Sequence, residues 1–312
     1  MKQATDPRRT RVWLADGALV ACAFFWGLGF VAMKRALSVY PAFWLLFLRF
    51  GGGALLLGAS LRLFFRADAG LSWEDLAGGL VMGVFLFLAM GLQTLGLNHT
   101  TAGKQAFLTA SYVILAPFVL WGARRVFPGW ASLAGALVCF SGMGFLTSGL
   151  TGALNRGDVL TVISAFFFAA QIVATERYAT QGDPLRLTLV QFCVTAALSL
   201  CGALVFEGPF VPRGWKGLGS VTFATVVCTF LCFLIQNVGQ KYTPAAHASI
   251  LLGLESVFGA LSGVVFLNEV FTPQMTFGCV LIFAAVLLVE FQGARSSLSF
   301  EERKHKTRRG FS

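Results

Sequence analysis

DGALVACAFFWGLGFVAMKRA (residues 16–36) lies over DVLTVISAFFFAAQIVATERY (158–178) without a gap, at an offset of 158 − 16 = 142. A second pair, LQTLGLNHTTAGKQAFLTASY (92–112) and IQNVGQKYTPAAHASILLGLE (235–255), lies at an offset of 235 − 92 = 143. The chain of 312 residues is therefore written twice, and what one copy does decides the fold.

Each copy is apolar. Hydrophobic residues make up 56% and charged residues 12% of the chain, against a charged share of about 25% in soluble domains. Runs of about 18 or more apolar residues recur, and each crosses a hydrocarbon core roughly 30 Å thick as a helix. The expected spans are 13–37, 42–65, 74–97, 102–123, 129–149, 157–178, 185–206, 217–238, 244–266 and 274–293. Five fall in each copy, and an odd number forces the second copy into the membrane from the opposite side. The expected fold is an all-α membrane protein with ten transmembrane helices in two inverted five-helix repeats. Its parts are a basic N-terminus (1–12), the first repeat (13–149), the second repeat (157–293) and a basic C-terminal tail (294–312). Inverted repeats of this kind are a signature of secondary transporters, with the substrate site near the midplane between the copies.

Charge placement sets the orientation. Cytoplasmic termini put 17 Lys/Arg on the inner side and 6 outside, with Arg49 left within the membrane, as the positive-inside rule requires. The net charge of +10 is concentrated in the two termini, so it reads as an orientation signal and a contact to anionic lipid rather than a nucleic-acid patch. The first span is longer than a signal-peptide core and lacks a small-residue cleavage site, so it is expected to remain as a helix. All seven cysteines fall inside spans without metal-type spacing and read as small buried hydrophobes.

In the fourth and ninth spans, polar and small residues share one helical face. Lys104, Gln105, Thr109, Tyr112 and Ala116 do so in the fourth, and His247, Ala248, Glu255, Gly259, Ser262 and Gly263 in the ninth. The alignment makes Glu255 the mate of Tyr112 and His247 the mate of Lys104. If the two stripes face each other, a shared central cavity follows.

The segments LNHTTAGKQAFLTASYVILAPFVLW (97–121), FFWGLGFVAMKRAL (24–37) and LLGLESVFGALSGVVFLNEVFTPQMTFGCVLI (251–282) resemble the drug/metabolite transporter superfamily, in its EamA-like ten-helix branch. The resemblance runs from about residue 12 to 293. A Leu-Asn-Glu turn follows the ninth span where the family has Gly-Glu, so Asn268 is a departure. The resemblance implies a bacterial inner-membrane carrier of ten helices in two inverted halves. It also implies export or exchange of small metabolites, amino acids or related solutes, driven by the proton gradient.

Each candidate site residue carries two readings. Glu255 sits near the midplane, where a charge costs roughly 2.5–3.5 kcal/mol. It either couples protons and binds a cationic group, or bonds neighbouring helices as a protonated acid. Arg49 lies about 12 Å deep at 1.5 Å per residue. It pairs with a substrate carboxylate, with Glu255, or with backbone carbonyls. Lys104 and His247 open their spans at opposite faces, as gates for a solute or as first-turn side chains reaching headgroups. Trp26 and Tyr112 are mid-depth aromatics that form a solute wall or pack the core. By contrast, Trp13, Trp44, Trp73, Trp121, Trp130 and Trp215 lie near span ends as an interfacial belt. Gln93, Gln171, Gln191 and Gln236 are ligands or glue between helices. Lys34 and Glu176 read as interface anchors. Gly79 with Gly83, and Gly259 with Gly263, have the small-xxx-small spacing of close helix pairs.

No GxSxG elbow, HExxH or CxxC is present, and the histidines are scattered, which leaves an intramembrane enzyme little to stand on. A channel or scaffold is the other alternative. No cofactor or metal is expected. Expected partners are a small-molecule substrate, the lipid bilayer and protons, with a homodimer as a candidate assembly and nucleic acid excluded.

Overall fold

Four helix starts are fixed by short polar side chains. Ser72 and Asp75, and Asn155 and Asp158, form reciprocal capping boxes. Thr101 accepts from the Lys104 amide, and Asp183 accepts from the Leu185 amide just ahead of Pro184. Each uses an acceptor to take up amide protons that the first turn leaves without a partner. The computed structural model describes residues 7–64, 70–125, 127, 129–151, 155–211, 217–270, 272–274, 276–285 and 288.

Among the described residues all regular structure is helical. The elements are α1 (Pro7–Leu37), α2 (Ala42–Phe64), α3 (Trp73–Leu97), α4 (Ala102–Thr109), α5 (Tyr112–Arg124), α6 (Trp130–Thr151), α7 (Arg156–Ala179) and α8 (Pro184–Phe206). They continue with α9 (Leu218–Phe223), a π-helical stretch (Ala224–Leu231), α10 (Cys232–Gly239), α11 (Ala245–Gly253) and α12 (Glu255–Leu267), and a shorter apolar helix, α13 (Thr276–Ala285). Among the described residues, eight helical stretches are long and apolar enough to cross a membrane, from Arg11–Leu37 to His247–Leu267. The expected fifth span is α6, 22 residues from Trp130 to Thr151, and α13 is the described part of the expected tenth. The remainder of 274–293 beyond α13, apart from residue 288, and the tail 294–312 lie outside the described residues.

Two crossings expected to be continuous are broken, and at matching places. α4 gives way to α5 at Ala110–Ser111, and α11 gives way to α12 at Leu254; 111 + 143 = 254, the repeat offset. At both breaks the amides tighten to the carbonyl three residues back, Ser111 to Leu108 and Leu254 to Leu251. The Ser111 and Ser256 hydroxyls donate to the Leu108 and Gly253 carbonyls at 2.7 and 2.8 Å, serving acceptors that the break would leave bare. Tyr112 and Glu255 are the first residues after the breaks. A third irregularity, the π-helical stretch, interrupts the apolar stretch Leu218–Gly239 between α9 and α10, a form concentrated at functional sites.

Packing runs between the copies more than within them. α3 lies against α7 and α8, α2 against α8, α1 against α12, α4 against α12, and α5 against α7. Glycines permit the closest approaches: a Cβ on Gly79 would collide with Val190 of α8, and one on Gly259 with Ala106 of α4. α6 and α13 pair with each other through Ala136, Cys139, Cys279 and Ile282.

Apolar side chains such as Leu55 and Leu63 point outward, as they must in lipid. Trp13, Trp73, Trp121 and Trp130 are exposed at helix ends, but Trp44 departs from the expected belt. It is buried, and its indole N–H donates to the Gly208 carbonyl at 2.9 Å, because the 207–211 segment folds over the start of α2. Trp215 lies outside the described residues. Cys193 and Cys201 correct the uniform reading of the cysteines: they are exposed on the outer side of α8, while the other five are buried.

Candidate functional site

The two helix breaks and the π-helical stretch face one central cavity, and seven of the nine candidate residues line it. Trp26 of α1, Arg49 of α2, Gln93 of α3 and Tyr112 of α5 come from the first copy; Gln171 of α7, Gln236 of α10 and Glu255 of α12 come from the second. The space that a water's centre can reach is about 50 Å³, room for a few waters at roughly 10–15 Å³ each.

Arg49 is 4% exposed. Its Nε donates to the Thr229 hydroxyl of the π-helical stretch, one Nη approaches the Met90 thioether at 3.6 Å, and its guanidinium lies 5.3 Å from the centre of the Phe50 ring. Among the described residues no carboxylate comes within 4.0 Å of it, so the expected alternative of an Arg49–Glu255 pair is not formed. The π-helical stretch explains the geometry. Its wide turn brings Cys228 and Thr229 to the inner wall, where the Cys228 carbonyl also accepts the Trp26 indole N–H at 2.7 Å.

Glu255 is 5% exposed and lies beside the Tyr112 hydroxyl. That hydroxyl makes no strictly aligned hydrogen bond among the described residues. The repeat mates therefore meet across the cavity, each at the head of a half-helix. The amides that follow are bonded back across the breaks, Val113 to Ala110 and Val257 to Leu254, so the two side chains rather than free amides supply the polarity of this wall.

Amide side chains form the rest of the polar wall. Gln93 donates to Thr109 at 3.0 Å, Gln171 to Thr175 at 3.0 Å, and Gln236 to Gln240 at 3.0 Å. Gln236 also approaches the Gln171 carbonyl oxygen at 3.4 Å. The buried carbonyl oxygens of Gln105 and Gln236 have no donor among the described residues. Gln191 is not part of this wall; it accepts from Asn237 at 2.8 Å as a link between α8 and α10.

Lys104 and His247 stand apart. Lys104 is buried and its ammonium donates to Asp158 at 2.8 Å. His247 Nε2 lies 3.4 Å from Asp16. Lys34 and Glu176 cap helix ends rather than reach headgroups. The Lys34 ammonium donates to the Leu97 and Thr100 carbonyls at 2.6 and 2.8 Å, and Glu176 accepts the Ala245 amide at 3.3 Å.

Sequence reasoning placed Gln105 on the polar stripe of the fourth span and passed over Thr94, Phe168 and Cys228, all in the cavity wall. Phe168 was within reach, because it is the repeat mate of Trp26. Cys228 was not, since its place depends on the π-helical turn.

Comparison with known proteins bears on the whole chain. The profile of the EamA-like transporter family matches it twice, over residues 13–148 and 155–291. The chain is similar to a protein of Archaeoglobus fulgidus described as an uncharacterized transporter, with 31% identity over 94% of this chain and 91% of the relative. It is also similar to the uncharacterized transporter YvbV of Bacillus subtilis, with 25% identity over 90% of this chain and 92% of the relative. A solved crystal structure superposes with a TM-score of 0.67 at 18% identity, covering 92% of this chain and 98% of the other, a likeness of fold.

Proposed function

The chain belongs to the EamA-like transporter family, and on that premise we propose that it is a secondary active transporter moving a small polar metabolite by alternating access. The family and the names of the relatives make it a multi-pass membrane protein of a transporter family. The finer reading is ours: ten crossings in two inverted repeats, both termini in the cytoplasm of a bacterial inner membrane, and export of an amino acid or related solute coupled to protons. The twofold family match supports the two-copy reading, and the matched helix breaks support it from an independent direction.

One observation carries the transport site. A guanidinium buried with no carboxylate partner among the described residues and a buried carboxyl just after a helix break line the same cavity between the copies. Arg49 fits the anionic group of a solute, Glu255 and the amide wall fit its cationic or hydrogen-bonding groups, and Trp26 with Phe168 supplies an apolar face. Glu255 is the residue through which protons would enter the cycle.

The test is an untargeted comparison of metabolites outside cells with and without the protein, followed by flux of the responding solute in proteoliposomes. Saturable uptake with counterflow is the expected result. Ohmic current would point to a channel, and chemical conversion of the solute to an intramembrane enzyme; either would overturn the proposal.

A further inference from the structure

The cavity accounts for seven of the candidate residues and leaves Lys104 and His247 over. Their partners are not arbitrary. Asp158 and Asp16 are repeat mates, as are Lys104 and His247, and so are Thr100 and Thr243. Thr100 donates to Asp158 at 3.2 Å beside the Lys104–Asp158 contact of 2.8 Å. Thr243 donates to Asp16 at 2.8 Å beside the His247–Asp16 contact of 3.4 Å. The same three-residue arrangement occurs twice, and each joins one copy to the other: α4 to α7 in the first case, α11 to α1 in the second.

The two sites stand at opposite ends of the molecule. Lys34, near the end of α1, bonds the Leu97 and Thr100 carbonyls beside the first site, while Asp16, near the start of α1, belongs to the second. The 34 − 16 = 18 residue steps between them span about 27 Å of helix. Between the two ends lies the cavity.

We infer that Thr100–Lys104–Asp158 and Thr243–His247–Asp16 are latches that close opposite ends of the solute path and open alternately, the second more readily. This rests on the transport-site reading above. The latches differ in their surroundings. The Lys104 and Asp158 side chains are 6% and 0% exposed, whereas those of His247 and Asp16 are 42% and 18% exposed. Parting a buried ammonium from a buried carboxylate strands two charges in a dry site. Parting a half-wet imidazole–carboxylate pair hands both groups to water. The resting protein therefore opens mainly toward the face that carries the N-terminus, and the latch residues act as positioning groups that never touch the solute.

The test reads access to the cavity and needs no knowledge of the solute. Thr94, in the cavity wall, is replaced by cysteine. A membrane-impermeant methanethiosulfonate is added to one face of oriented vesicles, and modification at position 94 is followed by mass spectrometry. In the Thr94→Cys chain, reaction from the N-terminal face is expected to be the faster. Asp16→Asn raises that rate about tenfold and leaves the opposite face unchanged; Asp158→Asn raises the rate from the opposite face. Should Asp158→Asn fail to fold, Lys104→Met/Asp158→Leu removes both charges together and must open the same face. Rates indifferent to the latch substitutions, or both latches opening one face, overturn the latches while leaving the cavity standing. Faster reaction of the Thr94→Cys chain from the face opposite the N-terminus overturns the proposed order of opening. No modification at position 94 in any chain overturns the latches together with the solute cavity.

Discussion

Arg49 holds its guanidinium against a hydroxyl, a thioether and a ring face, weak company for a charge inside a membrane protein. The proposed solute anion completes its coordination. A charge-assisted hydrogen bond contributes about 1.5–3 kcal/mol, so Arg49→Met lowers the affinity for an anionic solute roughly 10- to 100-fold while melting within a few degrees of the parent. Proteoliposome uptake at graded solute concentrations and a thermal melt check this together. A variant that transports normally removes Arg49 from the site. At this scale the sequence was legible where a residue breaks an apolar background: Glu255 and Arg49 announced themselves by type and depth. Asp158 did not, because an aspartate three residues after Asn155 reads as half of a capping box. Its second role appears only when folding brings in Lys104, 54 residues away in the chain.

Among elements, the positions of the apolar runs were readable and their interruptions were not. The break at Ala110–Ser111 has no proline or glycine beside it, and Pro117 comes later, within α5, whereas Gly253 adjoins the break at Leu254. Tertiary contacts and serine hydroxyls sustain them. The π-helical stretch is equally silent, since residues 224–231 read as an ordinary apolar run. Glycine spacing was more informative. Gly259 meets Ala106 where α12 crosses α4, with no room for a Cβ. Overpacking such a contact costs about 1–3 kcal/mol, so Gly259→Leu lowers the melting temperature and the yield of monodisperse protein, whereas Gly122→Leu, exposed on α5 with nothing among the described residues within 4 Å of an added Cβ, leaves both unchanged. Equal melting of the two variants contradicts the packing described.

Across the whole molecule, two copies of one sequence plan interleave, and the differences between them do the chemistry. Tyr112 faces its mate Glu255, and Lys104 and His247 hold equivalent aspartates in unlike surroundings. Perfect symmetry would give a cavity with two identical walls; divergence puts one carboxyl in it. We propose that this carboxyl, at the start of α12, couples transport to protons. The most direct test is solute flux driven by an imposed pH gradient in proteoliposomes holding either the parent chain or Glu255→Gln. The account predicts gradient-driven accumulation in the parent and only gradient-independent counterflow in the variant. Accumulation by Glu255→Gln that follows the gradient as in the parent would contradict it.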